Sequence, residues 1–424
     1  MAEENLGLMV VIPTRNRAAL AIAAIRSVLS QNVDNVRVLV SDNSTTRGEA
    51  ARLSRYCRRL QDKRLSYVAS PESLQMSRHW DWAMNRAFES DATHFTVLTD
   101  RMVFRPGELR VLWNLVQRHP AKTLSYKHDK IVDSKYPVTV ELQPWTGGLF
   151  EISCARLLKL SALTIMHESL PRMLNCVVPR TVLKAIENRF GIIFGSIAPD
   201  FNLCYKALEV EDVILYYDKA ILIHRALKRS NGETCAGGFR VRDHADFLAS
   251  MKPEERILAS PVPLVRTRMN FIMSEYCLVG KEAGSAKFPE IDMERYLNIL
   301  AFELENIADE DFRNEMMEML VAHGWTGQPT STDNGSTSNG LQVSGIRPSL
   351  EKLVRPSRTW LRLLVGGFFA REPAAVDEVE FRNSAQALAY AFKHPQQPID
   401  SFPYEESTLE YKQIEDRQFI ENAN

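Results

Sequence analysis

Apolar and polar residues at the start of the chain alternate in a way that predicts two parallel strands joined by one helix. Residues 8–12 form an apolar, β-branched run that ends at Pro13, which favours a buried strand. Apolar residues then recur at helical spacing over 18–29, and a second apolar run spans 36–40. A polar loop follows each strand. Because ligands bind at the carboxyl edge of such sheets, we expect a binding crevice there.

Strands and helices continue to alternate up to residue 232, which predicts an α/β fold. Further strands are predicted at 65–68, 94–98, 213–217 and 220–223, and helices at 47–64, 76–88, 105–119, 179–189 and 201–208. Two short strands are expected around 123–126 and 137–140. Between them we predict a charged turn, marked by Lys127, Asp129, Lys130 and Asp133.

Helical spacing dominates the chain after residue 232. We predict a domain over 1–232, a helical subdomain over 233–325, a flexible polar linker over 326–345 and a C-terminal helical segment and tail over 346–424. The helical subdomain would cap a site or form a homo-oligomer. Residues 348–370 mix basic and apolar side chains, so they could lie on an anionic membrane surface or dock on protein.

Composition narrows the function classes. The 52 basic and 53 acidic residues leave a net charge of −1, which gives no reason to expect nucleic-acid binding. The six cysteines include no C-x-x-C pair, which argues for reduced thiols and against a zinc site. The acidic N-terminus does not look like a secretory signal, and no run of 18 apolar residues occurs. We therefore expect a cytoplasmic protein, with peripheral contact at the inner face of the membrane as an option.

Residues at the two predicted strand ends carry a family resemblance. The pairing of Val-Ile-Pro-Thr-Arg-Asn-Arg at 11–17 with Val-Ser-Asp-Asn-Ser-Thr-Thr at 40–46 resembles a family 2 inverting glycosyltransferase with a GT-A fold. The resemblance covers about residues 6–232 and implies a Rossmann-like βαβ unit in a mixed sheet. It assigns donor-base binding to Pro13, Thr14, Arg15, Asn16, Arg17 and Asp42. Without the resemblance, the motifs also fit another nucleotide-binding βαβ fold.

The same resemblance assigns further donor contacts at three places. Arg78 and His79 begin a predicted helix that would meet the diphosphate or sugar, although Arg78 could simply face water. Asp100 follows a strand at the position of the family's ribose-binding carboxylate. His224 ends a later strand and, with the basic residues after it, could contact the donor phosphates or belong to a solvated loop. Those basic residues are Arg225, Lys228 and Arg229.

The Thr99-Asp100-Arg101 sequence departs from the family's acidic metal site. A hard divalent cation such as Mg²⁺ or Mn²⁺ needs several oxygen ligands, and a carboxylate beside a guanidinium is a poor set. Arginine can instead neutralise a departing diphosphate without a metal. We hypothesise that Arg101, with Arg15 or Arg17, replaces the metal. In the alternative, Arg101 pairs structurally and a metal binds elsewhere, with Asp100 and His224 as ligands.

Asp200 follows a proline at the entrance of a predicted helix. One interpretation is an N-cap, because aspartate satisfies free amides at a helix start. The resemblance implies instead the general base of an inverting transferase, which removes the acceptor proton. The leading hypothesis is therefore sugar transfer from a UDP-sugar to a hydroxyl of a glycan, lipid-linked or protein acceptor, as in polysaccharide biosynthesis. The alternative is a catalytically degenerate GT-A-like scaffold that only binds a nucleotide.

Overall fold

The computed structural model describes residues 6–133, 136–195, 197–226, 257–327, 379–394, 398–404 and 406–422. The strands are β1 (Leu8–Thr14), β2 (Val36–Asp42), β3 (Leu65–Ala69), β4 (His94–Val97), β5 (Met102–Phe104), β6 (Leu124–Val132), β7 (Val138–Glu141), β8 (Leu149–Ser153), β9 (Cys176–Pro179), β10 (Val213–Ala226), β11 (Val379–Phe381) and β12 (Tyr411–Glu415).

Helices cover both faces of the sheet and make up most of residues 257–327. They are α1 (Ala18–Leu29), α2 (Arg47–Leu60), α3 (Met76–Phe88), α4 (Glu108–Arg118), α5 (Cys154–Ala162), α6 (Arg180–Phe190), α7 (Pro199–Val210), α8 (Arg268–Ala283), α9 (Met293–Glu305), α10 (Glu310–Ala322), α11 (Ser384–Lys393), α12 (Glu406–Leu409) and α13 (Arg417–Asn422). The predicted helices over 18–29 and 76–88 are confirmed to the residue.

The described strands form one mixed sheet in the order β12-β8-β10-β6-β9-β4-β1-β2-β3, with β5 on β10, β7 on β6 and β11 on β7. Strand β1 runs parallel to β2 and β4, β2 runs parallel to β3, and β10 runs parallel to β6. The other pairs are antiparallel. The predicted α/β fold with a mixed sheet and a helical C-terminal region is confirmed.

Strand β1 is buried on both sides, which explains its continuous apolar sequence. Val10 and Ile12 belong to the core under α1, whereas Met9 and Val11 belong to the core under α3. The strand passes through Pro13 and ends only at Thr14. The strand boundary expected at Pro13 is therefore wrong by one residue.

The prediction of a charged turn after residue 126 is wrong, because β6 continues to Val132. Lys127 is buried and pairs with Asp218 and Glu168, and Asp129 is buried against Arg105. Each charge has a partner on another element, so these residues can lie within a central strand. Residues 213–217 and 220–223, expected as two strands, are one strand with a bulge.

Helices α8, α9 and α10 share a core with α5 and α7, to which they contribute Met273, Leu300 and Leu320. Strand β12 adds to the edge of the sheet beside β8, and β11 pairs with β7. The sequence pattern did not indicate these two strands.

Several predicted features lie outside the described residues. They are Lys228, Arg229, residues 328–345 of the predicted linker and the 348–370 segment. Among the described helices, none combines the length and apolarity needed to cross a bilayer. The five cysteines in the described part of the chain are free thiols.

Candidate functional site

The ends of β1, β2 and β4 meet at one edge of the sheet. Thr14 ends β1 and lies opposite Asp42 in the register with β2. The Thr14 hydroxyl donates to Oδ2 of Asp100 at 2.9 Å, and its carbonyl accepts the N–H of Asn43 at 2.9 Å. Asp100 follows β4, which pairs with β1 on the other side. The structure therefore brings Asp42 and Asp100 together.

Asp42 is buried and held by two donors. Its Oδ2 accepts the Tyr67 hydroxyl at 2.8 Å, and its Oδ1 accepts the backbone N–H of Ser44 at 2.9 Å. Burial raises the pKa of Tyr67, and the Asp42 carboxylate raises it further. Because each carboxylate oxygen has two lone pairs, Asp42 keeps acceptor capacity for a ligand.

Side chains of the 14–17 loop hydrogen-bond to neighbouring segments. The family resemblance assigned the same side chains to donor binding. Asn16 has φ 55°, a left-handed conformation that asparagine tolerates. Its Oδ1 accepts the N–H groups of Thr45 and Thr46 at 2.9 and 2.8 Å. Arg15 donates to the carbonyl of Leu74 and the hydroxyl of Ser73, both at 3.0 Å. These contacts fix the shape of the loop.

Arg78 and His79, which the resemblance assigned to donor binding, have different environments. His79 is buried, and its Nε2 is 2.8 Å from Oγ of Ser41 on β2. Burial lowers the pKa of His79 to about 4, so the ring is neutral at pH 7. Arg78 is exposed on the first turn of α3, where the Gln75 side chain caps the helix.

Asp100 is surrounded by cationic side chains. Nη1 of Arg17 lies 3.5 Å from Oδ1 of Asp100, whose side chain is 5% exposed. Burial raises the pKa of Asp100, while Arg17, Thr14 and Arg101 act in the opposite direction. The carbonyl of Arg101 accepts the N–H of Arg225 at 3.0 Å, which joins this edge to the end of β10.

Asp200 is the second residue of α7, at the positive end of the helix dipole. The N-cap is Ala198, so the N-cap interpretation of Asp200 is wrong. Burial raises the pKa of Asp200. Arg172 opposes that shift most, followed by the N–H groups of Phe201 and Asp200 and then by Arg101. Arg101 thus opposes the rise in pKa of both Asp200 and Asp100.

Arg172 is a site residue that sequence reasoning missed. Its guanidinium carbon lies 5.6 Å from the ring centroid of Phe201, one residue after Asp200. Its charge also lowers the pKa values of His128 and His224. The segment before β9 carries no motif that singles out this arginine, because only folding brings it against α7.

His224 and His128 face each other across β10 and β6, with ring centroids 5.8 Å apart. Burial lowers the pKa of His128 to about 3 and that of His224 well below its usual range. Both rings are neutral at pH 7. Nε2 of His224 is buried without a hydrogen-bond partner among the described residues. A neutral, unsatisfied imidazole can serve a ligand as a donor or an acceptor.

The residues around Asp100 do not form a good set for a hard divalent cation. Both Asp100 oxygens already face Thr14 or Arg17, and the next residue is Arg101. In the described part of the chain, no group of three or more His, Cys, Asp or Glu side chains is arranged to hold a metal ion.

Residues 9–168 match the family model described as Glycosyl transferase family 2. The match covers less than half of the chain and makes this segment similar to family 2 glycosyltransferases. The segment contains the alternating strands and helices that the resemblance implies, together with Asp42, Asp100 and Arg101. It ends before Arg172 and Asp200, so the match assigns nothing to those two residues.

The chain is also similar to solved structures of TarS from S. aureus. It is 12% identical to TarS 1–349 in complex with UDP-GlcNAc, covering 75% of this chain and 89% of that one, with a TM-score of 0.43. For another TarS 1–349 structure the identity is 13%, the coverage is the same and the TM-score is 0.40. A further TarS structure is 13% identical with a TM-score of 0.38, and the match covers 75% of this chain but only 53% of that one. No curated protein sequence matches this chain.

Proposed function

We propose that the protein transfers a sugar from a nucleotide-sugar donor, a UDP-sugar, to a hydroxyl acceptor with inversion at the anomeric carbon. The family 2 match supports the reaction class. The observation that carries the mechanism is the position of the Asp200 carboxylate in the first turn of α7, where Arg172 packs against the ring of the next residue, Phe201, and where Arg172 and Arg101 both oppose the rise in the pKa of Asp200. Arg101 in turn adjoins Asp100 at the sheet edge.

In this proposal the donor lies along the edge formed by β1, β2 and β4. Asp42 and the 14–17 loop would hold the base, and Asp100 would bind the ribose. Arg101 and Arg17 would face the diphosphate, where their charge stabilises the leaving group. The unsatisfied Nε2 of His224 supplies a further polar contact near the same charges.

Asp200 would act as the general base. Its carboxylate takes the proton from the acceptor hydroxyl as that oxygen bonds to the anomeric carbon. The bond from that carbon to the diphosphate oxygen breaks on the opposite face, and the diphosphate leaves with the electron pair. Burial raises the pKa of Asp200, which makes it a stronger base than an exposed aspartate, while Arg172 and Arg101 oppose that rise and favour the ionised form.

The arginine-rich surroundings of Asp100 support a reaction without a metal. Arg101 and Arg17 would supply the positive charge that Mg²⁺ or Mn²⁺ supplies in a typical acidic site. Transfer should therefore persist in EDTA. Loss of activity that added metal restores would contradict this part of the proposal.

The test begins with thermal-shift measurements against UDP, GDP and CDP, followed by a transfer assay with the matching nucleotide sugars. Asp200→Asn should lower kcat by about 100-fold or more, because a general base contributes 10²–10⁴-fold, and should leave donor affinity nearly unchanged. Asp212→Asn is the matched control, because this exposed aspartate follows the end of the same helix. An Asp200→Asn enzyme with wild-type kcat would remove Asp200 from the role.

A degenerate scaffold is the second candidate, favoured by the absence of the usual metal-holding acid beside Asp100. It predicts nucleotide binding without donor hydrolysis or transfer to any acceptor. The same thermal-shift and transfer assays therefore separate the two functions.

A further inference from the structure

Residues 193–195 and 197–198, which precede α7, are held by side chains of three different elements; we call these residues the Asp200 segment. Oδ1 of Asp81, on α3, accepts the N–H groups of Ile193 and Phe194 at 3.1 and 3.3 Å. Oδ1 of Asn202, on α7, accepts the N–H of Gly195 at 3.0 Å. These contacts leave little freedom in the chain that leads to the catalytic helix.

Glu275 of α8 holds the last two residues of this segment. Its Oε1 accepts the N–H groups of Ile197 and Ala198 at 2.9 and 2.8 Å. Its Oε2 accepts Nδ2 of Asn202 at 2.9 Å. The Glu275 side chain has no exposed surface, so these three donors replace the water that a carboxylate would otherwise bind.

This arrangement fixes a helix start that has no side-chain cap of its own. Ala198 at the N-cap has no side-chain oxygen, and Pro199 at the first position has no N–H. A carboxylate from another helix therefore fixes the backbone at the point where α7 begins. Asp200 comes two residues after Ala198, and Asn202 lies on the next turn.

We infer that Glu275 is a positioning residue for Asp200 and makes the helical region part of the catalytic apparatus. The inference rests on the proposed function. Glu275 does not touch the reacting atoms. It fixes the direction in which the first turn of α7 presents the Asp200 carboxylate. A displacement of about 1 Å at a reacting group can lower the rate about 100-fold, so such a residue affects kcat.

The hydrogen bonds define a specific test. In Glu275→Gln, the amide oxygen can still accept the two backbone N–H groups, but the new amide nitrogen then faces Nδ2 of Asn202, donor against donor. Rotating the Asn202 amide by 180° only moves the conflict to the N–H of Gly195. Adding Asn202→Asp removes the conflict, because the new carboxylate at position 202 accepts both the N–H of Gly195 and the new amide at position 275. The double variant also keeps one carboxyl group in the cluster.

We expect Glu275→Gln to lower kcat by about 10- to 100-fold with little change in donor KM, and Glu275→Gln/Asn202→Asp to recover most of that loss. Glu303→Gln is the matched control. Glu303 is another largely buried carboxylate of the helical region, and its Oε2 accepts the N–H of Met269 at 2.8 Å, away from the Asp200 segment. Melting temperatures for all variants show how much of each change reflects folding.

If Glu275 has a purely structural role, Glu275→Gln and Glu303→Gln should both lower the melting temperature, and Glu275→Gln should show no selective loss of kcat. Glu275→Gln with the kcat of Glu303→Gln, or a double variant no better than Glu275→Gln, would overturn the inference. If the wild-type enzyme transfers no sugar, the proposed function fails instead. An active wild type, an inactive Asp200→Asn and a fully active Glu275→Gln would reject the inference alone.

Discussion

Asp100 and Asp200 are carboxylates in cationic surroundings, but their contacts suit them to different roles. Asp100 is nearly fully buried and engaged by Thr14 and Arg17, which makes it a fixed acceptor. Asp200 is half-buried at a helix start, and Arg172 is the charge that most opposes the upward shift of its pKa. A partly accessible carboxylate whose ionisation depends on a neighbouring arginine can exchange a proton during a reaction.

Replacing Arg172 should change the pH dependence of turnover. In Arg172→Gln the Asp200 carboxylate loses its strongest stabilising charge, so its pKa should rise further. A general base must be ionised, so the acidic limb of the kcat–pH profile should move to higher pH, and kcat at pH 6 should fall more than kcat at pH 8.

The control for this prediction is Arg189→Gln, which removes an arginine that pairs with Glu209 at the far end of α7. Its kcat–pH profile should match the wild type. An Arg172→Gln profile with an unchanged acidic limb would show that Arg172 does not set the ionisation of Asp200.

At the scale of single elements, β6 shows how buried ion pairs can override a local sequence signal. Lysines and aspartates in a row indicate a turn, yet Lys127 and Asp129 lie within a central strand. Arg105 donates from Nε to Oδ2 of Asp129 at 2.8 Å, and its Nη1 donates to the carbonyl of Ala391 on α11. Through Arg105, the pair therefore also connects β6 to α11.

Breaking this pair should destabilise the protein strongly. Asp129→Asn leaves the buried Arg105 guanidinium without its counter-charge, which we expect to lower the free energy of unfolding by about 3–5 kcal/mol. Glu187→Gln is the control, because it breaks a partly exposed pair with Lys184 on one helix and should cost about 0.5 kcal/mol or less. Urea unfolding measures both. Equal costs for the two variants would contradict a buried structural role for the Arg105–Asp129 pair.

At the scale of the whole molecule, the C-terminal residues return to the sheet. Phe402 stacks on Phe150 of β8 with ring centroids 4.1 Å apart, and β12 pairs with β8 next to it. Glu415 at the end of β12 accepts from Arg118 and lies 2.7 Å from the ring nitrogen of His119. Residues from the C-terminal part of the chain thus complete one edge of the sheet.

We therefore expect Phe402→Ala to lower the free energy of unfolding by about 2 kcal/mol, since it removes a partly buried aromatic contact. Phe419→Ala, at a side chain that is 56% exposed on α13, should change it by about 0.5 kcal/mol or less. Thermal and urea unfolding of the full chain measure both. Equal effects would mean that the C-terminal segment contributes little to the stability of the sheet.

The sequence alone determined the elements whose information is local. The apolar run of β1, the helical spacing of α1 and α3, and the polar residues at the strand ends were all predictable, because periodicity and strand boundaries depend on neighbouring residues. The placement of Asp42 and Asp100 at one edge followed from parallel strands.

Only the tertiary structure decided which distant side chains meet. Arg172 lies against Phe201 next to Asp200, Glu275 holds the N–H of Ala198, Asp218 neutralises Lys127, and β12 joins β8. None of these pairs has a fixed spacing along the chain, because burial and charge compensation between packed elements select them. Local patterns therefore located the sheet edge and the Asp200 carboxylate, and long-range packing determined what surrounds them.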